Sequence, residues 1–278
     1  VVYPKDGKTA VAYPAGNPAE NYTVLDGTQK IGIAAFYGSW NLRGVTVPAG
    51  VDEFYEYAFF DCEKVCGYSL PDTLETVGPY SMAKNYSLSS VSLPDSVINI
   101  GRYAFAYDSS LYTVYISDTS KLARISFASF ALSGIQTMRL PANVSTVAQY
   151  AFEGCKQLTS VTFAAGSKLQ SISAYFFLGC DSIQNITFEN GGALTSIQAH
   201  GLEGMKNLTS IDFGDARLTN IDNYAFRYCS SLATLNLPDT LINIGRFAFY
   251  KCTALSSLTV PETIEHIGSY AFHGTDNC

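Results

Sequence analysis

Large apolar residues recur along the chain at Phe36, Phe59, Met82, Phe105, Phe130, Phe152, Phe177, Leu202, Phe226, Phe249 and Phe272. Each follows, by five positions, an Ile or Val column in which Phe54 is the one aromatic substitute. The repeat length stays between 22 and 25 residues. Such a period marks a short unit that cannot bury its own apolar face and stacks on copies of itself. In the unit 88–110, Leu88, Val91 and Leu93 are spaced as in a strand, which predicts strand over 88–93. Pro94 and Asp95 then turn the chain, and Val97 and Ile100 begin a second apolar column ahead of Gly101, Tyr103, Ala104 and Phe105.

Equivalent strands fall at 42–47, 65–70, 111–116, 135–140, 158–163, 183–188, 208–213, 232–237 and 255–260. Each can pair only with its counterparts one unit away, which predicts a parallel sheet. The return leg is too short for a full helix and predicts a brief extended piece followed by a helical or 3₁₀ turn. Gly78, Gly101, Gly245 and Gly268 suit a close backbone approach or a positive φ there. Tyr57, Tyr80, Tyr103, Tyr150, Tyr175, Tyr224 and Tyr270 stand two positions before the large column and predict a stacked tyrosine ladder. Residues 1–30 depart from the repeat and read as an N-terminal cap of strands around a turn. Residues 31–278 form the array of about eleven coils, the last incomplete at Cys278, so that either further chain or another cover is expected there.

Strands of the L-x-x-L-x-L type at this period are the mark of leucine-rich repeats. The run of a strand ending in Leu-Pro, a three-residue turn, Ile-Gly, Tyr-Ala-Phe and then a pair such as Gly-Cys resembles the BspA-like class. It is clearest over 88–105, 232–252 and 255–272. The entry segment Tyr13-Pro14-Ala15-Gly16, followed by Tyr22-Thr23-Val24, is also similar to that family. The expected fold is an α/β-type, β-rich leucine-rich-repeat solenoid, a right-handed curved superhelix with its parallel sheet on the concave face and short helical or 3₁₀ turns on the return leg. The resemblance implies an extracellular or cell-surface protein of a bacterium or microbial eukaryote, adhesive toward host matrix or other cells. The family has no fixed catalytic motif, so no catalytic role carries over.

Composition sharpens this in two ways. Apolar residues make up 47% and charged residues 15%, as suits a continuous core and not a disordered chain. A net charge of −7 argues against the basic face that phosphate backbones require, so nucleic acid is not an expected partner. Of seven cysteines, Cys62, Cys155, Cys180, Cys229 and Cys252 share one slot, three residues after the large column. They read as small inward fillers, since in-register neighbours suit disulfide geometry poorly and no C-x-x-C pair or companion His suggests metal.

Six connections begin with Pro, at Pro48, Pro71, Pro94, Pro141, Pro238 and Pro261; four lack it and are longer, at 117–121, 164–168, 189–193 and 214–217. Longer connections at equivalent points project from one edge and make a candidate binding rim. It includes Lys168, Glu189, Asn190, Asp215 and Arg217. The outward column of the sheet is mostly Ser and Thr but holds Tyr115 and Arg139, with Tyr112 and Gln136 beside them, residue types enriched at interface hot spots. The partner expected is a protein; glycan binding, or a passive spacer role for another domain, are the alternatives. No G-x-S-x-G, H-E-x-x-H, Walker or EF-hand pattern occurs, and the three histidines are dispersed, so no enzyme, metal or cofactor is expected. Asp212, Asp215 and Asp222 lack the ligand density of a calcium loop. Sequons start at Asn21, Asn85, Asn143, Asn185 and Asn207.

Overall fold

A computed structural model describes residues 1–275; the unfinished coil expected at Cys278 lies outside them. The chain is a parallel-strand β-solenoid of about eleven turns, divided into two compact units, Val1–Ile135 and the remainder from Gln136. Among the described residues no helix is long and apolar enough to cross a membrane.

In the first unit every coil contributes one rung to each of two ladders. Asn21–Thr23, Gly44–Thr46 and Gly67–Ser69 pair in that order, as do Ser90–Ser92 and Thr113–Tyr115. The second ladder runs through Thr9–Ala10, Lys30–Ile31, Glu53–Phe54, Thr76–Val77, Asn99–Ile100 and Arg124–Ile125. Its register sets Ile31, Phe54, Val77, Ile100 and Ile125 one above another, all fully buried. Thus Thr9–Ala10 and Asn21–Thr23, within the stretch that departs from the repeat, take rungs in both ladders.

In the second unit Thr137–Leu140, Ser160–Phe163, Asn185–Phe188 and Ser210–Asp212 form the first ladder. Ser171–Ile172, Ser196–Ile197, Asn220–Ile221, Asn243–Ile244 and His266–Ile267 form the second. The strands expected at 232–237 and 255–260 reduce to one bridge between Thr234 and Ser257. The rungs splay there: cavities of 430 Å³ and 240 Å³ open against Asn236 and Leu237, one toward Asp212 and the other toward Thr259.

The expected helical or 3₁₀ turns do not form; among the described residues the return leg holds no helix. Its N–H groups are used otherwise. Those of Tyr57, Phe59 and Asp61 donate to the carbonyls of Pro79, Ser81 and Ala83 in the next coil at 3.0, 2.6 and 2.9 Å. The intervening N–H groups of Ala58 and Phe60 close local turns onto Tyr55 and Tyr57. Tyr80, Met82 and Lys84 repeat the pattern onto Arg102, Ala104 and Ala106. A helix would direct all these donors along its own axis and leave this part of the return leg unjoined to the next coil.

Alternate direction requires alternate handedness, and the positive φ falls on the tyrosines rather than on the expected glycines. Tyr57, Tyr80, Tyr103, Tyr150, Tyr175, Tyr224 and Tyr270 have φ between 52° and 63°. Left-handed backbone costs an ordinary residue about 1–2 kcal/mol. The rings offset it: Tyr57 and Tyr80 stack at 5.0 Å, and Tyr80 and Tyr103 at 4.7 Å. Each such pair contributes about 0.5–1.5 kcal/mol, and an interior ring makes two. The predicted tyrosine ladder is therefore real, and it sits on a conformation that the sequence did not announce.

Gly101 serves for close approach instead. A Cβ there would stand 2.6 Å from the carbonyl carbon of Gly78, while the Gly101 N–H donates to Val77 at 2.7 Å. Beneath the ladder the large column is a dry aromatic stack, with Phe36 on Phe59 at 4.8 Å and Phe226 on Phe249 at 5.0 Å.

Candidate binding surfaces

Alternation along the outer strands turns every second residue to solvent, as in Thr137–Leu140, where Thr137 and Arg139 are exposed and Met138 and Leu140 buried. Arg139, Thr162, Thr187 and Asp212 consequently form one file across the second unit's sheet. In the first unit the same file ends in Tyr115, paired in register with Ser92. Tyr115 is 60% exposed and Tyr112 41%.

The second unit draws several rim residues together. The Arg139 guanidinium forks onto Glu189 with bonds of 2.8 and 3.1 Å, two coils away from its own strand. Glu189 also accepts the Ala165 N–H at 3.0 Å, so one carboxylate ties the sheet to two connections. Asp215 accepts the Gly191 N–H, and the Asn190 carbonyl accepts the N–H of Gly166 at 2.9 Å. Lys168 reaches Asn143 at 2.8 Å. Asp215 and Arg217 line a 340 Å³ recess with Gly191 and Gly192. Gln136 uses its carbonyl within the sheet, accepting both the N–H and the hydroxyl of Thr159.

The first unit holds a larger recess, of 740 Å³, which sequence reading did not find as a site. Asp72, Ser92, Asp95, Tyr115, Ser117 and Lys121 line it. It lies where the short Pro94 turn meets the longer 117–121 connection. The signal that could have found it is this change in connection length, which leaves the longer segment standing as a wall. Asp72 and Asp95 look like ordinary turn residues in sequence.

The recurring slot three residues after the large column is buried, as expected, but it is a hydrogen-bonding slot and more than filler. The thiols of Cys62, Cys180, Cys229 and Cys252 donate to the carbonyls of Phe36, Phe152, Leu202 and Phe226 in the preceding coil at 2.9 to 3.1 Å. Burial pushes the Cys62 thiol up to about 12 and those of Cys180 and Cys229 well above the ordinary thiol value. In the first unit the slot passes to Asn85 and Asp108. Asn85 accepts the Cys62 N–H at 3.0 Å, and Asp108 accepts the Asn85 N–H at 2.8 Å. The second Asp108 carboxyl oxygen is buried without a partner, and desolvation drives this acid well above its ordinary value. Asn85, being fully buried, is withdrawn as a glycan acceptor.

Other candidate chemistry is spent on structure. His200 replaces a ladder tyrosine, stacked 4.9 Å from both Tyr175 and Tyr224, and contacts Glu203, which also holds Arg227. Asp212, Asp215 and Asp222 accept hydrogen bonds from Gly214, Gly191 and Asn220. Among the described residues no cluster of His, Cys, Asp or Glu could hold a metal ion.

A BspA type leucine rich repeat region, in 6 copies, matches residues 29–159 and 146–278. Among solved structures, the pneumococcal vaccine antigen PcpA superposes with a TM-score of 0.58 at 19% identity, over 94% of this chain and 71% of that one. A leucine rich cell surface protein from Faecalibacterium prausnitzii gives 0.49 at 18% identity, over 97% and 93%. A leucine-rich repeat protein from Bacteroides ovatus gives 0.43 at 22% identity, over 99% and 87%. Curated proteins give no significant match. At these identities the PcpA likeness establishes the fold alone.

Proposed function

The chain belongs to the BspA-type leucine-rich-repeat family, and from that membership we propose a non-catalytic binding protein of the extracellular or cell-surface space, presenting its sheet and rim to a protein partner such as host matrix. The matched model is a repeat region and indicates no enzyme family. The observation that carries the reading is the ordered rim of the second unit, where Glu189 joins Arg139 on the sheet to Ala165 on a neighbouring connection. Surface groups already fixed in place lose little further freedom when a partner binds, which favours affinity. The rim also offers both signs of charge, Arg139, Lys168 and Arg217 against Glu189 and Asp215, and such patterning selects partners more than it strengthens them.

Replacing residues 164–168, 189–193 and 214–217 by Pro-Asp-Ser turns shortens the rim to the pattern of the other coils. Binding of the full chain to immobilised collagen, laminin and fibronectin is measured by surface plasmon resonance. The reading expects a signal on at least one of them that the shortened variant loses while its denaturation midpoint persists. Equal binding by the two proteins refutes it.

A further inference from the structure

We propose that the 740 Å³ recess beside Tyr115 is a binding site for a neutral hexose-type saccharide. An uncharged sugar presents an apolar C–H face and a girdle of hydroxyls that both donate and accept. The recess supplies a counterpart to each: the exposed Tyr115 ring for the apolar face, the Asp72 and Asp95 carboxylates as acceptors, the Lys121 ammonium as donor, the Ser92 hydroxyl as either, and the Ser117 hydroxyl, whose proton goes to Thr119, as a further acceptor. Its volume falls in the range of about 300–1,000 Å³ usual for small-ligand sites.

The mixture of charges selects the ligand class. A cationic group entering the recess meets Lys121, and an anionic group meets Asp72 and Asp95. A neutral ligand rich in hydroxyls uses both signs. Part of the wall is ordered beforehand: Asp95 accepts the Thr119 hydroxyl at 2.6 Å, Thr119 pairs with the Ser117 hydroxyl at 2.7 Å, and the Lys121 N–H donates to the Asp95 carbonyl at 2.8 Å. Binding therefore does not have to arrange that connection first. The inference rests on the Val1–Ile135 unit alone and is independent of the protein-binding reading.

Saturation-transfer NMR on the full chain tests it with the methyl glycosides of glucose, galactose, mannose and N-acetylglucosamine. Methyl glucuronide and acetyl-arginine amide serve as the anionic and cationic probes. Transfer to the ring protons of at least one neutral glycoside is expected. Tyr115→Ala should weaken that binding about tenfold, the upper end of what an aromatic contact contributes, and Tyr115→Phe should preserve it. Asp95→Asn should weaken it as well, whereas Tyr86→Ala, at an exposed ring outside the recess, should leave it unchanged. The proposal is overturned if no neutral glycoside binds, if Tyr115→Ala and Asp95→Asn both bind as the native chain does, or if either charged probe binds the recess more tightly than every neutral one.

Discussion

Gly101 offers a perturbation of one methyl group whose consequence is set almost wholly by backbone geometry. In Gly101→Ala the new Cβ would stand 2.6 Å from Gly78 C, 2.7 Å from Pro79 N and 2.9 Å from Gly78 O. All three atoms are main chain of the preceding coil, so no side chain can rotate away and the coils must separate. Ordinary contact needs roughly 3.5–4.0 Å, which implies a local shift near 1 Å. That overpacking costs about 1–3 kcal/mol. The same shift stretches the 2.7 Å bond from Gly101 N–H to the Val77 carbonyl, whose loss adds about 1 kcal/mol. Gly101→Ala should therefore lower stability by about 2–4 kcal/mol. Gly67→Ala is the matched control, since a Cβ at Gly67 meets nothing within 4 Å and the residue has no positive φ. Restricting the unfolded chain at such a position stabilises by about 0.4–1 kcal/mol. Urea midpoints followed by circular dichroism compare the two. A Gly101→Ala chain as stable as the native one, or a Gly67→Ala chain equally damaged, refutes the close-approach assignment.

Three further outcomes follow from the same packing. Phe152→Ala removes a fully buried ring that lies 5.7 Å from both Phe176 and Phe177 and should cost about 3–5 kcal/mol in the urea midpoint, while Ser92→Ala on the exposed file should stay within about 0.5 kcal/mol. Burial keeps the Asp108 carboxyl protonated well above 3.8 when folded, whereas the unfolded chain ionises it near its ordinary value. Stability from this group is thus fully present below about pH 4 and is lost as pH rises toward the raised folded value. Asp108→Asn, which copies the residue in the Asn85 slot, should raise the urea midpoint at pH 8 and not at pH 4, and an equal effect at both would deny the buried acid. Cys66 is exposed while Cys62 is buried, so a thiol reagent at pH 8 should label Cys66 in the folded protein within minutes and leave Cys62 until the chain is unfolded; mass spectrometry of peptides reads the difference.

What the sequence made legible was whatever depends on side-chain periodicity. The columns through Ile31, Val77 and Ile100, and through Phe36, Phe59 and Phe105, could be read directly because one period repeated eleven times leaves little choice of register. The extended piece of the return leg was legible, but the turn after it was misread as helical or 3₁₀ because the positive φ there falls on Tyr57, Tyr80 and Tyr103, residues that propensity assigns to right-handed or extended backbone. Ring stacking between coils overrides that local preference, and stacking between coils is invisible within one unit. Cys62 and Asp108 were hard to read for a related reason: their partners are the Phe36 carbonyl and the Asn85 N–H of an adjacent coil, and no residue type encodes a main-chain group. On the surfaces, the longer connections were legible from missing prolines. The fork of Arg139 onto Glu189 and the recess at Tyr115 were not, since both depend on how far a longer connection stands out from the coil beside it.

Site-resolved amide hydrogen exchange by NMR tests most directly whether the coils are joined by alternating backbone bonds. The amides of Tyr80, Met82 and Lys84, which donate across to Arg102, Ala104 and Ala106, should be protected to the level of the ladder amides of Leu93 and Tyr112, which donate to Tyr115 and Ser89. Exchange of those three amides near the rate of an unstructured chain, with a helical signal in far-ultraviolet circular dichroism, would contradict the structure at its foundation.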